Sequence, residues 1–400
     1  MPLFQMASSV LLPPTLLIVA THVAPAKGYG GVAESVSDLA RVWTEQGHRV
    51  RLVASNASMD GRITSLEVEA LTKCKVSLYS SKFIKKQGFG LAAIPRLWSA
   101  INEADNVYIA GVSTWPTTIA LLFCRLQFKK FGLGVRGGFL RGHISYIRAY
   151  KPIKYIFYHI VVQPLANGAQ FIHAMSEMER EHIASLFKPP VVKASLGVDC
   201  RFLRMTPPLE PLPSSGWRYL YVGRFSREKS VLAMVEAWRI AARSCDRLTL
   251  TGDGLGMYAK AVRSLANDDS RISMTGYMAR GEVFQLIRQH HYLILPSGID
   301  SEVRENFGII VAEALTLGRP VLVARNLAWN HIEKFGAGIV FPASKEGLIN
   351  AIRYTGNISY EEYKLSCKRA RMLAVLDMDI TKEANKLWLS FTNSKSDFSQ

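Results

Sequence analysis

The sequence predicts an α/β protein built from two doubly wound domains. Three observations predict this fold class: short apolar runs alternate with helical patterns, a proline-rich stretch interrupts the alternation, and the alternation then restarts. The chain has 400 residues, of which 48% are hydrophobic and 20% charged, so it can bury a full core and favours two or three domains.

The first half begins with a predicted buried strand, TLLIVA, at residues 15–20. A helical pattern follows and ends at Gly47, and a second strand is predicted at residues 49–55. Such a βαβ unit builds a parallel sheet covered by helices. Further strands are predicted at 106–111, 131–136 and 169–174. The apolar face of the helix comprises Val32, Val36, Leu39, Ala40 and Trp43.

No signal peptide or spanning helix is expected in the apolar run before residue 20. No positive charge precedes the run, and Pro13-Pro14 interrupts it. The five cysteines are odd in number, scattered and never spaced as CxxC, which favours free thiols in a reducing compartment over a zinc site. They are Cys74, Cys124, Cys200, Cys245 and Cys367.

The second half follows TPPLEPLPSSG, residues 206–216, which is typical of an exposed connector. Strands are then predicted at WRYLYVG, RLTLTG, RISMTG, HYLILPS and RPVLVA. Helices are predicted between them at about 231–244, 256–267 and 281–289, and from Phe307 to Leu317. A closing helix near 380–392 carries Ile380, Ala384, Leu387 and Trp388 on one face. In sheets of this kind ligands bind outside the carboxyl ends of the strands, so the natural site is the cleft between the two domains.

The formal net charge of +17 is uneven. Residues 1–195 carry 22 Lys/Arg against 11 Asp/Glu, and the rest of the chain carries 27 against 21, which gives +11 and +6. Aromatic residues accompany the cations in residues 73–96 and 148–160. This pattern fits an anionic membrane surface, single-stranded nucleic acid, or amphipathic helices that pack their aromatics into the core and keep a solvated basic face.

Two cations surround the strand-to-helix turn in YLYVGRFSREKS. Arg224 follows a strand and Lys229 precedes the next helix. A helix N-terminus favours phosphate, an arginine forks onto two phosphate oxygens, and a lysine adds a point charge. The pair can therefore straddle a diphosphate, although two solvated surface charges would give the same pattern. The next two strands end at Gly252, Gly254 and Gly276, where the lack of a side chain permits a ligand to approach the backbone closely.

The segment ENFGIIVAE places Glu305 just before a predicted helix and Glu313 about two turns along it. A carboxylate accepts hydrogen bonds from neighbouring hydroxyls of a sugar or a ribose, and the N–H groups of Phe307 and Gly308 would face a bound anion. The alternative is a glutamate that stabilises the helix dipole together with an ordinary helical acid.

The order of these motifs resembles the donor domain of the glycosyltransferases of family four, which have the GT-B architecture of two facing Rossmann-like domains. LAWNHIEKFGAGIVF is similar to a stretch of members that assemble bacterial polysaccharides. In the first half, KGYGGVAESV, EQGHRV, VRGGFL and HAMSEMERE resemble further family segments, so the resemblance covers about residues 15–392.

The resemblance implies a role for each candidate residue. Arg224 and Lys229 would bind the diphosphate of a nucleotide sugar and Glu305 its sugar hydroxyls, and these three are the predicted catalytic residues. Glu313 would hold the ribose. The other predicted donor contacts are Gly30, Gly31, Gly252, Gly254, Gly276, Phe307 and Gly308. Ser113, Trp115 and Arg136 are predicted on the acceptor side, where Trp115 is either a core residue or a platform for a sugar ring.

The resemblance also implies domain limits and chemistry. An acceptor-side domain is expected at 1–195 and a donor domain at 196–375, with a terminal helix at 376–400 that packs back on the first domain. The family retains anomeric configuration and generally needs no metal or other cofactor. Asp377 and Asp379 look like a metal-binding acid pair but are interpreted as helix capping.

The sequence departs from the family pattern at several positions. Ser195 and Leu196 replace the usual Pro-Asn, and Ser230 replaces the usual glycine after the lysine. The loop PSGIDSEVRENFG is longer than usual, and no histidine follows the fourth strand of the first domain. These departures leave the sugar and any histidine contact unassigned.

The predicted function is transfer of a sugar from a nucleoside diphosphate sugar to a glycan or a lipid-linked acceptor in bacterial cell-surface polysaccharide synthesis. A cytoplasmic protein is expected, with a peripheral contact to the inner face of the membrane. No nucleic-acid partner is expected, because the diphosphate motifs would then lack purpose. The alternatives are a nucleotide-sugar 2-epimerase on the same architecture and a non-catalytic protein that binds membranes or polyanions.

Overall fold

The computed structural model describes residues 14–199, 216–301, 307–325 and 328–392. By its internal contacts the chain divides into two compact units. One comprises the described residues before Val135, together with 160–172 and those from Ser390. The other comprises the described residues of 135–159 and 173–389. The proline-rich connector predicted at 206–216 lies almost wholly outside the described residues.

The first half of the chain forms a seven-stranded sheet in the order β5-β2-β1-β6-β7-β8-β9. The defined registers, β1 with β2 and β6, β2 with β5, and β6 with β7, are all parallel. The strands are β1 (Thr15–Ala20), β2 (Arg49–Ser55), β3 (Ala57–Ser58), β4 (Gly61–Arg62), β5 (Lys75–Tyr79), β6 (Asn106–Ala110), β7 (Lys130–Gly134), β8 (Phe171–Ala174) and β9 (Val191–Lys193). β3 and β4 form a separate antiparallel pair.

The helices of this half lie between the strands, as doubly wound folds require. They are α1 (Gly31–Glu45), α2 (Ser65–Thr72), α3 (Ala93–Glu103), α4 (Trp115–Leu126), α5 (Arg141–Tyr150), α6 (Pro152–Phe157), α7 (Gln163–Ala166) and α8 (Glu177–Ala184). A turn of π-helix, Tyr158–Val162, connects α6 to α7.

The predicted strands β1 and β2 are confirmed to the residue. All six residues of β1 are buried, which explains why the run is apolar without alternation. The predicted face of α1 is buried at Val36, Leu39, Ala40 and Trp43 but not at Val32, which is 44% exposed. The prediction that Val32 is buried is therefore wrong. Val32 is the second residue of α1 and lies in its first turn.

The second half forms a six-stranded sheet in the order β12-β11-β10-β13-β14-β15, and all its pairs are parallel. The strands are β10 (Arg218–Val222), β11 (Arg247–Thr251), β12 (Ile272–Gly276), β13 (Tyr292–Leu295), β14 (Val321–Ala324) and β15 (Gly338–Phe341). The helices are α9 (Val231–Ala241), α10 (Gly256–Asn267), α11 (Arg280–Arg288), α12 (Ile309–Thr316), α13 (Ile332–Phe335), α14 (Lys345–Asn357), α15 (Tyr360–Asp377) and α16 (Ile380–Thr392). The two parallel sheets confirm the predicted α/β class of two Rossmann-like domains.

Two helices of the second half are shorter than predicted. α12 begins at Ile309 rather than Phe307, because Gly308 adopts φ +69°, which a right-handed helix cannot include. α9 ends at Ala241, three residues before the predicted Ser244.

The terminal helix α16 buries Ile380, Ala384 and Leu387, as its periodicity predicts. Trp388 is only half-buried. The last turn instead buries Phe391, whose ring centroid lies 4.9 Å from that of Phe171. The predicted domain limits stay a prediction.

Candidate functional site

Glycines end three neighbouring strands of the second sheet, and their backbones touch. The N–H of Gly252, after β11, donates to the carbonyl oxygen of Gly276 in β12 at 2.8 Å. A Cβ on Gly252 would lie 2.1 Å from the carbonyl oxygen of Gly223, and one on Gly254 would lie 2.4 Å from that of Phe225. Only glycine fits such gaps. The glycines predicted at strand ends therefore lie against neighbouring backbone at the carboxyl ends of β10, β11 and β12, which we call the glycine edge.

The two predicted cations share the loop between β10 and α9. Arg224 follows β10 by two residues, and its side chain is 60% exposed. Its Nη2 lies 3.4 Å from Oε1 of Glu228, and its backbone oxygen accepts a hydrogen bond from the hydroxyl of Tyr221. A turn of 3₁₀ helix, Arg227–Lys229, leads towards α9.

Lys229 is half-buried, two residues before α9. Burial of its ammonium lowers the pKa of Lys229 to about 8, and the nearby positive charge of Arg224 adds to the decrease. The structure thus brings the two predicted cations close enough for one to act on the other. Lys229 remains mostly protonated at neutral pH, and a nearby anion would favour its charged form.

Glu313 lies on α12 and is 4% exposed. Its Oε1 accepts a hydrogen bond from Nε of Arg280 at 2.8 Å. Arg280 is the first residue of α11, four positions after Gly276. Sequence reasoning missed this partner, which lies 33 positions from Glu313 along the chain. A buried carboxylate needs such a cation, since an unpaired charge is costly to bury.

The segment before α12 is described only from Phe307. Glu305, the third predicted catalytic residue, lies outside the described residues. Phe307 is buried; its carbonyl oxygen accepts a hydrogen bond from Nε1 of Trp329, and the two ring centroids lie 4.7 Å apart. Gly308 directly precedes α12. The side chain of Phe307 therefore packs in the core, while its backbone lies just before the start of α12.

The predicted residues of the first half lie at helix starts and strand ends. Gly30, with φ +68°, precedes α1, and Gly31 is the first residue of α1. No heavy atom lies within 4 Å of the position that a Cβ on Gly30 would take, so this loop is open to contact. Ser113 and Arg136 follow β6 and β7 and adopt φ +53° and +50°, a conformation that side chains with a Cβ rarely take.

Trp115 starts α4 and is half-buried. Its Nε1 donates to the carbonyl oxygen of Gly90 at 2.9 Å, and its ring centroid lies 4.5 Å from that of Phe89. The indole is thus held in place by one hydrogen bond and one ring contact. The placement of Trp115 on the acceptor side stays a prediction.

His22 was not singled out from the sequence, although it lies two residues after β1. Its ring stacks on Tyr29 with centroids 3.3 Å apart, and Nδ1 lies 3.2 Å from Oγ of Ser55. Burial lowers the pKa of His22 to about 4, so the imidazole is neutral at physiological pH. The sequence signal for His22 is a histidine two residues after a buried strand of an α/β sheet.

Of the two acids predicted to cap a helix, Asp379 does so, whereas Asp377 is the last residue of α15. Oδ1 of Asp379 accepts a hydrogen bond from the N–H of Thr381 at 2.9 Å, at the start of α16. Within the described ranges no group of three or more His, Cys, Asp or Glu could hold a metal ion. The four cysteines that the structure describes, Cys74, Cys124, Cys245 and Cys367, are not in disulfides. None of the helices in the described part of the chain is both long enough and apolar enough to cross a bilayer.

Two family models match successive parts of the chain. The model of the glycosyl transferase 4-like domain matches residues 30–194, and the model described as glycosyl transferases group 1 matches residues 217–355. The second match contains the glycine edge, the loop of residues 223–230 that carries Arg224 and Lys229 (the cation loop), and Glu313. No curated protein sequence shows significant similarity to this chain.

Solved structures share the architecture over nearly the whole chain. HepE of Anabaena, in complex with UDP and glucose, has a TM-score of 0.73 at 16% identity and covers 95% of this chain and 100% of its own. Sucrose-phosphate synthase of Thermosynechococcus elongatus has a TM-score of 0.73 at 16% identity, with 95% and 98% covered. WaaG, a glycosyltransferase involved in lipopolysaccharide biosynthesis, has a TM-score of 0.67 at 15% identity, with 95% and 100% covered. These likenesses establish the GT-B fold.

We expect Gly252→Ala to destabilise the protein by about 3 kcal/mol, because the new Cβ meets a backbone oxygen and the residue must keep φ +122°. Gly256→Ala is the matched control, since φ is +83° there but nothing lies within 4 Å of the new Cβ; about 1 kcal/mol is expected. Urea unfolding followed by circular dichroism measures both. Equal losses would show that the backbone contact does not constrain this edge.

Proposed function

The chain belongs to the glycosyltransferases that join a glycosyl transferase 4-like domain to a glycosyl transferases group 1 domain, and we propose that it acts as a retaining enzyme of family four in bacterial cell-surface polysaccharide synthesis. It would transfer a sugar from a nucleoside diphosphate sugar to a glycan or a lipid-linked acceptor. The observation that carries this proposal is the pair Arg224 and Lys229 in one loop, beside the glycine edge of the second sheet.

The cation loop suits a diphosphate leaving group. Arg224 is exposed enough to reach a ligand, and its guanidinium can fork onto two phosphate oxygens. Lys229 is half-buried, so its charge acts through a medium of lower dielectric than water. Preorganised charges of this kind stabilise the negative charge that develops on the departing diphosphate. We propose that the two cations do this without a metal ion.

The remaining donor contacts follow the arrangement of the sheet. The nucleoside would lie near Gly252 and Gly276, with the ribose hydroxyls on the carboxylate of Glu313. Arg280 would hold that carboxylate in a single orientation. Glu305 is proposed to bind the sugar hydroxyls. HepE is in complex with UDP-glucose in one solved structure of similar fold, and we propose a donor of the same chemical class.

The proposed reaction is a front-face displacement. The acceptor oxygen forms a bond to the anomeric carbon as the bond from that carbon to the phosphate oxygen breaks. The departing phosphate oxygen takes the acceptor's proton, so atoms and charges balance. On this path the main burden on the protein is to stabilise the diphosphate.

A lipid-linked acceptor would bring the protein to a membrane, and α5 with α6 offer a surface for that contact. Residues 106–176 contain eight Lys/Arg and no Asp or Glu. In this acid-free segment, Tyr150, Ile153 and Ile156 are 73%, 83% and 54% exposed, and Lys151 and Lys154 lie among them. Exposed apolar side chains mixed with cations suit an anionic bilayer surface. We propose a peripheral contact with the cytoplasmic face of the membrane here.

Arg224→Ala should lower the rate of sugar transfer by about 10²–10³-fold, the usual effect of removing one preorganised charge-stabilising group. The assay is release of nucleoside diphosphate across common nucleotide sugars, with lipid extract as the source of acceptor. Arg239→Ala, which removes an exposed arginine from the last turn of α9, is the control and should leave the rate unchanged. An Arg224→Ala variant with the normal rate would refute its role.

Product analysis separates the alternative functions in the same assay. A 2-epimerase would convert the nucleotide sugar with no acceptor present. A non-catalytic polyanion-binding protein would release no nucleotide, and its melting temperature would not respond to nucleoside diphosphates.

The affinity for a nucleoside diphosphate should fall about tenfold between pH 7 and pH 9. Burial lowers the pKa of Lys229 to about 8, the anion prefers the protonated form, and raising the pH through that pKa removes the charge. Titration calorimetry at several pH values measures this. Lys229→Arg keeps its charge at both pH values, so its affinity should be nearly flat; a wild-type protein with equal affinity at pH 7 and pH 9 would contradict the prediction.

Ile153→Asp should weaken binding to vesicles with about 30% anionic lipid by about tenfold, because the variant loses an apolar contact and adds a negative charge. Leu66→Asp is the matched control, since Leu66 is 78% exposed on α2, next to acidic residues, and should bind as the wild type does. Vesicle co-sedimentation measures both. Unchanged binding of Ile153→Asp would remove α5 and α6 from the membrane contact.

A further inference from the structure

We propose that Ser230 is a positioning residue that holds the segment after β13 against the cation loop and thereby favours an intact nucleotide sugar over a nucleoside diphosphate. This inference rests on the proposed function of the site. Ser230 lies directly after Lys229 and is fully buried. Its Oγ accepts hydrogen bonds from the N–H groups of Ile299 and Asp300, both at 3.0 Å.

The backbone conformation of Ser230 indicates that its hydroxyl makes a stabilising interaction. The residue adopts φ +53°, a conformation that favours glycine and strains a residue with a Cβ. A serine at such a position needs a compensating interaction. Two backbone N–H groups that donate to one buried oxygen provide it.

A second hydroxyl makes the same connection. The hydroxyl of Tyr258 accepts a hydrogen bond from the N–H of Leu232 at 3.0 Å and lies 3.4 Å from Oδ2 of Asp300. Burial raises the pKa of Tyr258 to about 12, so the hydroxyl keeps its proton and can donate it. The first turn of α9 is therefore joined to residue 300 through Tyr258 as well as Ser230.

The order of the strands in the sheet shows which part of a bound ligand Ser230 would position. β10 lies between β11 and β13 in the sheet, so the cation loop after β10 has the glycine edge on one side and the segment after β13 on the other. A nucleotide sugar with its nucleoside at β11 and β12 and its diphosphate at β10 would direct its sugar towards β13. Ser230 thus sets the spacing between the part of the site that takes the diphosphate and the part that meets the sugar.

The experiment compares two ligands and two variants. Uridine diphosphate and UDP-glucose are the probes, or guanosine diphosphate and GDP-mannose if the nucleotide-release assay selects guanosine. Calorimetry without acceptor gives both dissociation constants. Ser230→Ala and Ser230→Gly should each leave binding of the nucleoside diphosphate within about threefold and weaken binding of the nucleotide sugar about tenfold, the effect of losing about one hydrogen-bond contribution.

The melting temperatures of the variants distinguish a positioning role of Ser230 from a general loss of structure. Ser230→Ala keeps the Cβ at positive φ, whereas Ser230→Gly relieves it, so the glycine variant should melt at the higher temperature of the two. Their ligand selectivities should nevertheless match, because both lack the hydroxyl. Ser344→Ala removes a serine that accepts the N–H of Gly347 at 3.0 Å at the start of α14. It should lower the melting temperature while leaving the ratio of the two dissociation constants unchanged.

Three outcomes would overturn the inference. If the Ser230 variants keep the wild-type ratio, or weaken both ligands equally, the hydroxyl does not position the sugar side. If the selectivity of the two variants follows their melting temperatures, the effect is structural. A wild-type protein that binds neither nucleoside diphosphates nor nucleotide sugars would overturn the proposed function and this inference together.

Discussion

The backbone contact among the ends of β10, β11 and β12 is the constraint on which the site depends. Gly223 donates its N–H to Thr251, and Phe225 donates its N–H to Asp253, both at 2.9 Å, so the loop after β10 is fixed to the loop after β11 by main-chain atoms. The N–H of Gly252 continues this ladder to β12. Because no side chain is used in these bonds, the loop can present Arg224 to a ligand while its backbone remains held.

The charged residues near the glycine edge form two groups, one in the cation loop and one at Glu313. Arg224 and Lys229 are like charges in one loop. Burial and, to a smaller extent, the charge of Arg224 lower the pKa of Lys229, while Glu228 opposes the decrease. A bound anion would favour the charged form of Lys229. Glu313 is paired with Arg280, so its position does not depend on a ligand. The site therefore combines a loop that carries two cations, suited to a diphosphate, with a carboxylate that is oriented in advance.

Sequence reasoning succeeded where a local pattern carries the information. The strand β1 was located to the residue because both faces of a central parallel strand are buried, which gives an uninterrupted apolar run. It failed at Val32 and at the start of α12, because exposure in a first helical turn and a positive φ at Gly308 depend on how the chain enters the helix. Arg280 was missed because its partner is remote in the sequence.

The sequence by itself determined the two sheets, the glycines at the strand ends and the presence of two cations in one loop, since all of these follow from the spacing of neighbouring residues. The tertiary structure alone decided that Lys229 is half-buried, that Glu313 is paired with Arg280, and that Ser230 connects to residues 299 and 300, 69 and 70 positions away. Burial and hydrogen bonds between distant segments arise only when the chain folds, so no local spacing encodes them.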